Sequence, residues 1–317
     1  MKYILISALY RMGKKTKKIK RNLRRKVSRK RSAYKKIRGG GSTVIPICIY
    51  SHSSHFDVLQ IQVDYLKKVF KDTDQKVYLF LDKDFTMPED PNYTTIIYDE
   101  NIAYTKRMLY CIEKVDAPYF VLSQESDIIV RYNGDAIKAL TETMDKMNID
   151  SIDLLIRDLK CEKQEKVTDT LFITNLKGGT WHLGRNLVYT VQPRLWKKES
   201  AKQFFSSIGD ASYKDVEREE TQKYITENQT TYGLCSTTPM MSYGLISKEF
   251  PAAPEYIFIH VTQNGNFVSK ASENDDIHPE IAAIEKELYE KYIEGATQRG
   301  KLSITEKGDV LAYIKNG

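Results

Sequence analysis

Short, mostly apolar runs alternate with amphipathic segments along residues 44–156, and this alternation is the strongest constraint on the fold. Runs of this kind are typical of strands that are buried on both faces. In the segments between them, apolar residues recur at helical spacing. The alternation predicts an α/β fold whose mostly parallel sheet is flanked by helices. The predicted strands are 44–50, 76–81, 94–98, 119–122 and 152–156, and the predicted helices are 56–70, 104–115 and 135–147.

The rest of the chain is less regular. It predicts strands over 170–174, 187–191 and 256–260, and helices over 197–205 and 281–293. We expect three parts: a flexible basic arm with a Gly-rich linker (1–42), an α/β domain (43–270) and a C-terminal helical extension (271–317).

The basic charge is concentrated in the arm. Residues 1–40 hold 17 Lys and Arg and no acidic residue, whereas the remainder holds 32 basic and 42 acidic residues, a net charge of −10. A body of that charge repels phosphate backbones, which excludes general nucleic-acid binding outside the arm. The arm itself is interpreted as a solvated tail or as a peripheral contact with an anionic membrane or nucleic acid.

Cysteine usage and hydropathy favour a cytoplasmic protein. The four cysteines are far apart in sequence, which predicts reduced thiols and neither a disulfide scaffold nor a structural zinc site. The one N-terminal apolar run, residues 3–10, is shorter than the roughly 20 residues that span a bilayer. We therefore expect no transmembrane segment.

Polar side chains that suit phosphate and metal chemistry follow several predicted strands. Glu125 and Asp127 come directly after the strand 119–122, and paired carboxylates suit a divalent cation bound to a diphosphate. Lys106 and Arg107 open a helix and suit a pyrophosphate, or a carboxylate such as Asp127. The alternatives are solvated or capping carboxylates and exposed ion pairs. His260 ends an apolar strand and is either a metal ligand or a partly buried structural histidine.

Four segments follow one another in a recognisable order. They are Gln124 to Asp127 with Tyr132, Gln192-Pro193 with Trp196-Lys197, Tyr213 to Glu217, and Asn264-Gly265-Asn266. Their order resembles that of GT-A-type nucleotide-sugar-dependent glycosyltransferases, particularly the divergent group of large DNA viruses and bacterial glycan clusters. The resemblance spans roughly residues 44–268. Two departures from the family pattern are a Glu-Ser-Asp metal motif and a tyrosine where the family usually has tryptophan.

The resemblance implies transfer of a hexose-like sugar from a nucleotide diphosphate sugar to an acceptor hydroxyl on a glycan or protein, with Mn²⁺ or Mg²⁺ as cofactor. A single carboxylate base favours an inverting displacement. It implies Glu217 as that base, although Glu219 and Glu220 lie within one helical turn and Glu220 stays a second candidate. The implied metal ligands are Glu125, Asp127 and His260, and the implied donor-binding residues are Ser51, His52, Lys106, Arg107, Gln192 and Trp196.

Two other functions remain open at this stage. A sugar-phosphate nucleotidyltransferase needs a Gly-rich loop after the first strand, and residues 51–55 contain no glycine. The main alternative is a non-catalytic GT-A-like protein that binds nucleic acid or an anionic surface through its basic arm.

Overall fold

The structure is a computed structural model. It describes residues 44–87, 90–157, 164–169, 171–176, 188–235, 257–260, 262–263, 266–267 and 279–298. The basic arm, Trp181 and His182 lie outside these residues, and so do parts of the predicted C-terminal extension.

A nine-stranded mixed sheet forms the centre of the fold, in the strand order β3-β2-β1-β4-β9-β6-β10-β8-β7. Two small antiparallel pairs, β5 with β11 and β12 with β13, lie outside it. The strands are β1 (Ile47–Tyr50), β2 (Val77–Leu81), β3 (Tyr93–Ile97), β4 (Tyr119–Gln124), β5 (Asp127–Arg131), β6 (Ser151–Arg157), β7 (Gln164–Lys166), β8 (Phe172–Asn175), β9 (Arg194–Lys197), β10 (Thr231–Cys235), β11 (Ile257–His260), β12 (Thr262–Gln263) and β13 (Asn266–Phe267).

Most strands of the large sheet run in one direction. β3, β2, β1 and β4 are parallel neighbours, and β6 pairs in parallel with β10. β9 is inserted antiparallel between β4 and β6, and β8 is antiparallel to both β10 and β7. The predicted α/β class, with a mostly parallel sheet and flanking helices, is confirmed.

The helices cover both faces of the sheet. Along β1, Ile47 and Ile49 join one core cluster while Cys48 and Tyr50 join the other, as alternation along a strand requires. Buried residues of α1, α3 and α6 belong to the first cluster, and those of α2, α4 and α5 to the second. The helices are α1 (Phe56–Val69), α2 (Tyr104–Glu113), α3 (Gly134–Met147), α4 (Lys198–Ser207), α5 (Glu219–Asn228) and α6 (Pro279–Gln298).

Two sequence-based expectations are wrong. The described residues of the predicted strand 187–191 form no strand; the strand of this region is β9, which begins three residues later and precedes α4. The expectation of four reduced thiols also fails, because Cys235 is disulfide-bonded to a partner outside the described residues. Cys48 and Cys111 are free and buried.

None of the helices in the described part of the chain is both long and apolar enough to cross a membrane.

The N-terminus of α3 offers a test of local stability. The Asn133 side chain accepts hydrogen bonds from the backbone N–H groups of Asp135 (3.0 Å) and Ala136 (3.2 Å). Asn133→Ala leaves those donors without this acceptor, so we expect the free energy of unfolding to fall by about 1 kcal/mol. Asn133→Asp keeps an acceptor, so we expect its free energy of unfolding to fall by only about a few tenths of a kcal/mol or less. Urea denaturation of the three proteins measures the difference, and equal losses in both variants would contradict the capping role.

Candidate functional site

The carboxyl ends of β1, β2, β3 and β4 meet at one edge of the sheet, because these strands are parallel neighbours. In open α/β sheets, ligands bind outside the carboxyl ends of the strands. We refer to this region as the carboxyl edge. Two groups of polar side chains lie there: the carboxylate cleft, made of Glu125, Asp127, Tyr213 and Glu217, and the His52 cluster, made of His52, Asp82 and Glu100.

Glu125 and Asp127 occupy the turn that joins β4 to β5. The Glu125 N–H donates to the Tyr50 carbonyl at 3.3 Å, which keeps the turn attached to the end of β1. Both acidic residues are buried, with relative exposures of 9% for Glu125 and 4% for Asp127. Buried carboxylates are costly unless charges or hydrogen bonds offset them, so two at one turn indicate a specific role.

The strand β11 brings His260 to the same turn. β5 and β11 are antiparallel, and the residue opposite Asp127 in their register is His260. Opposite residues in an antiparallel pair have Cα atoms about 4.5–5.5 Å apart. The three predicted metal ligands therefore belong to one turn and the strand beside it. The sequence does not predict β5, and without β5 the position of His260 cannot be inferred.

Glu217 is held against the segment that precedes β9. Its carboxylate accepts a hydrogen bond from the Val191 N–H at 2.8 Å. The Val191 carbonyl in turn accepts from the Gln124 side-chain amide at 3.4 Å, at the end of β4. Gln222 fixes the same segment, since its carbonyl oxygen accepts from the N–H groups of Val188 and Tyr189. These contacts connect Glu217 to the carboxyl edge through one short segment.

Tyr213 is the residue on which the acidic groups converge. Its ring is 42% exposed and meets Tyr104 edge-on, with ring centroids 5.4 Å apart. The solvent-poor surroundings of its phenol raise the pKa, and the negative charges of Glu125, Asp127 and Glu217 raise it further. The charges of these three carboxylates therefore act on the same phenol, after the larger effect of burial. Tyr213 was not among the predicted site residues; its sequence signal is an aromatic residue four positions before Glu217.

Arg107 lies at the carboxyl edge, but Lys106 does not pair with the predicted groups. The Arg107 guanidinium donates to the Ile102 carbonyl at 2.8 Å, to the Tyr50 hydroxyl at 3.3 Å and to the Glu100 carbonyl. Lys106 forms an ion pair with Asp210 at 2.6 Å, and both side chains are more than half exposed. Lys106 thus adopts the exposed ion pair that the sequence left open as its alternative.

Three predicted donor-binding residues differ in their access to ligand. Ser51 is fully buried, with its N–H bonded to the Phe80 carbonyl and its own carbonyl accepting from the Tyr98 hydroxyl. Gln192 is half-buried and accepts from the Thr190 hydroxyl at 3.2 Å. Trp196 has 0% exposure.

Trp196 is corrected from a donor-binding residue to a core residue. It lies on β9 in the centre of the sheet, and its indole stacks on Phe204, with centroids 5.5 Å apart and planes 22° apart. No face of the ring reaches solvent, so the ring offers no surface to a nucleotide in this conformation. Ser51 is corrected in the same way, because its polar groups are used within the fold.

The structure separates the two candidate bases. Glu220 is exposed on the first turn of α5, as is Glu219, and among the described contacts none connects either of them with the carboxylate cleft. Glu217 lies immediately before that helix and faces Val191. Of the two, Glu217 is the one whose described contacts reach the segment that meets β4, so it stays the preferred candidate for the base.

The His52 cluster includes a residue that the sequence analysis did not select. His52 Nε2 lies 3.5 Å from Asp82 Oδ2 and 3.4 Å from Glu100 Oε2. Asp82 is fixed by Ser53, whose N–H and hydroxyl each donate to one carboxylate oxygen at 2.6 Å. Glu100 follows β3. The sequence feature that could have indicated it is an acidic residue shortly after the end of a predicted strand.

The Asp82 carboxyl group makes the stability of the fold depend on pH. Burial tends to raise the pKa of its carboxyl group, but the Ser53 hydrogen bonds, with the nearby His52, outweigh burial and hold the pKa below its usual range. This stabilisation is complete above the unfolded-state pKa of about 3.9 and is lost as pH falls through the lower folded-state value.

Ser53→Ala removes the hydroxyl donor, so we expect the free energy of unfolding at pH 7 to fall by about 1.5–3 kcal/mol. The deficit should shrink at pH 3, which lies below the unfolded-state pKa of about 3.9. Urea denaturation of wild type and variant at both pH values measures it. A deficit that stays constant or grows on acidification would show that the bond does not depend on the Asp82 charge.

Comparison with known proteins reveals only distant likeness. No protein-family model matches the chain, and no curated protein sequence matches it. Among solved structures, an active-site mutant of LgtC matches with 12% identity and a TM-score of 0.39, covering 77% of this chain and 95% of that one. HddC from Yersinia pseudotuberculosis matches with 11% identity and a TM-score of 0.40, covering 68% and 93%.

A UDP-glucose pyrophosphorylase complexed with UDP-glucose matches with 9% identity and a TM-score of 0.38, covering 61% of this chain and 91% of that one. At TM-scores below 0.5, these likenesses carry no inference about the activity of this chain.

Proposed function

We propose that this chain is a GT-A-type glycosyltransferase that moves a hexose-like sugar from a metal-bound nucleotide diphosphate sugar to an acceptor hydroxyl, with inversion. The observation that supports it best is the pair of buried carboxylates, Glu125 and Asp127, at the carboxyl end of β4, with Glu217 connected to the same strand end through Val191 and Gln124. Glycosyl transfer needs charge compensation for the leaving diphosphate and a base for the acceptor hydroxyl, and this arrangement supplies groups for both.

Glu125 and Asp127 fit a divalent cation. Mn²⁺ and Mg²⁺ prefer hard oxygen ligands, and these two carboxylates are nearly buried at one turn. His260, opposite Asp127 in the strand register, is the proposed third ligand. When bound, the cation would offset the negative charge that develops on the leaving diphosphate.

Arg107 is the proposed basic contact of the diphosphate. Its guanidinium bonds to the Tyr50 hydroxyl, and the Glu125 charge contributes to the raised pKa of Tyr50, after the larger effect of burial. Arg107 and Glu125 therefore flank the same tyrosine. The nucleoside is proposed to lie over the ends of β1 and β2, beside His52, with Gln192 on the other side of the cleft.

Glu217 is the proposed base. The acceptor oxygen forms a bond to the anomeric carbon while the bond from that carbon to the diphosphate oxygen breaks, and the hydroxyl proton goes to the Glu217 carboxylate. The Val191 N–H holds this carboxylate in place. Because one carboxylate acts as base and none is assigned as nucleophile, the displacement is direct and inverts the anomeric centre.

The exposed ring of Tyr213 lies next to Glu217 in this proposal and offers an apolar surface for the acceptor. Acceptors are proposed to be glycans or proteins. The basic residues 1–42 remain a proposed peripheral contact with an anionic membrane or nucleic acid.

Donor binding can be tested with the full chain. A ligand that binds only the folded state raises the melting temperature. We expect one nucleoside diphosphate and its sugar derivative, from a panel of uridine, guanosine, adenosine, thymidine and cytidine compounds, to raise it only when manganese is present. A panel in which no compound shifts the melting temperature, with or without manganese, would contradict the proposal.

A further inference from the structure

We infer that His52, Asp82 and Glu100 form a binding site for a zinc-type divalent cation, distinct from the carboxylate cleft. The three residues follow three neighbouring parallel strands, β1, β2 and β3. One ligand atom from each lies within 4.8 Å of the other two. Side chains from three separate parts of the sequence thus converge at one point of the carboxyl edge.

The distances fit a shared ion better than direct hydrogen bonds. His52 Nε2 lies 3.5 Å from Asp82 Oδ2 and 3.4 Å from Glu100 Oε2. A charge-assisted hydrogen bond between such groups is normally about 2.7–2.9 Å long. Tetrahedral zinc with bonds of about 2.0–2.2 Å places its ligand atoms about 3.3–3.6 Å from one another. Both measured separations fall in that range.

Neighbouring serines hold two of the ligands in place. Ser53 donates twice to the Asp82 carboxylate, and Ser54 Oγ lies 2.8 Å from His52 Nδ1. The Ser54 backbone N–H also donates to Nδ1 at 3.1 Å, so two contacts at this nitrogen fix the orientation of the ring and leave Nε2 facing the two carboxylates.

The local charge also favours a cation. The Asp82 side chain has no exposed surface, whereas Glu100 is 45% exposed. Across the described residues, His52 is the one side chain that forms an ion pair with either carboxylate; Arg107 reaches Glu100 through its backbone carbonyl. Two carboxylates and one imidazole leave an excess of negative charge that a divalent ion would offset.

The ligand types select zinc over magnesium or calcium. Magnesium and calcium prefer oxygen ligands, while zinc readily combines imidazole nitrogen with carboxylate oxygen. Three protein ligands leave the fourth tetrahedral position for water. Since His52 and Glu100 are partly exposed, this position is reachable from solvent.

The site is tested on the full chain without nucleotide. We expect one zinc ion per chain in equilibrium dialysis when excess manganese is present to occupy the carboxylate cleft, and Co²⁺ in place of that zinc should give the intense visible absorption of tetrahedral coordination. Glu100→Gln should weaken zinc binding by about tenfold or more and remove the absorption. His52→Gln, whose fold is checked by circular dichroism, should do the same.

Two controls separate this site from other acidic groups. Asp99→Asn removes a neighbouring charge that bonds to Asn101, and it should leave zinc affinity unchanged within about twofold. Asp127→Asn should also retain zinc, because Asp127 belongs to the carboxylate cleft. Unchanged zinc binding in Glu100→Gln and His52→Gln would overturn the inference, as would loss of zinc in Asp127→Asn alone. Donor binding is measured separately, with manganese and nucleotide, so that failure of the zinc site in Glu100→Gln is distinguished from failure of the proposed donor site.

Discussion

Asp127→Asn is expected to lower the turnover of the nucleotide sugar by about 10²–10³-fold while the protein stays folded. The substitution keeps the size and one oxygen of the side chain but removes the charge that the proposed cation needs. Asp127 is 4% exposed and lies opposite His260 in the β5–β11 pair, and asparagine has nearly the same size and shape, so we expect the fold to tolerate the amide. Initial rates at saturating manganese, with circular dichroism as the check on folding, measure the effect.

Asp116→Asn is the matched control. Asp116 is exposed and precedes β4, so it lies at the opposite edge of the sheet from Asp127. It removes the same charge from the chain, and its rate should stay within about twofold of wild type. Full activity in Asp127→Asn would remove Asp127 from the site. Equal losses in both variants would point to a general charge effect.

Glu217→Gln is expected to lower turnover by about 10²–10⁴-fold, the usual contribution of a general base. The amide oxygen of glutamine still accepts the Val191 N–H, so the segment before β9 should keep its position. Donor affinity, measured by the manganese-dependent thermal shift, should therefore stay close to wild type. A rate loss with unchanged donor binding is the signature of a group that acts in the chemical step.

Glu220→Gln is the control for this variant. It removes the same charge one helical turn away, on the exposed start of α5, and should retain wild-type turnover. If Glu220→Gln lost activity and Glu217→Gln did not, the assignment of the base would be wrong. If both retained activity, neither carboxylate would take the acceptor proton.

The parts of the site that follow strand ends are predictable from sequence. Parallel neighbours bring their carboxyl ends to one edge, so Glu125, Asp127 and His52 can be placed together once the strands are recognised. The strand–helix alternation supplies those strands, because their apolar residues are nearly continuous.

Glu217 and Tyr213 could not be placed in this way. They reach the carboxyl edge through an irregular segment. Glu217 accepts a hydrogen bond from the Val191 N–H, and Gln222 of α5 donates to the Tyr189 carbonyl. Such contacts join residues about 30 positions apart and leave no periodic pattern. The family resemblance named Glu217, but only these contacts separate it from Glu220.

Trp196 illustrates a different failure. The sequence Arg-Leu-Trp-Lys-Lys-Glu can start a helix or end a strand, and the choice is made by long-range pairing. In the fold it becomes β9, antiparallel between β4 and β6, and Trp196 packs against Phe204 and Tyr189. Trp196 is thus a core residue, although the Gln-Pro-x-x-Trp-Lys motif suggested a role in binding the donor.

The most direct test of the central claim is the release of nucleoside diphosphate from a panel of nucleotide sugars by the full chain, with and without manganese. The account predicts manganese-dependent release from one donor class by wild type, and loss of that release in both Asp127→Asn and Glu217→Gln. Release that persists undiminished in both variants, or no release from any donor with any simple glycan acceptor while the protein is folded, would contradict it.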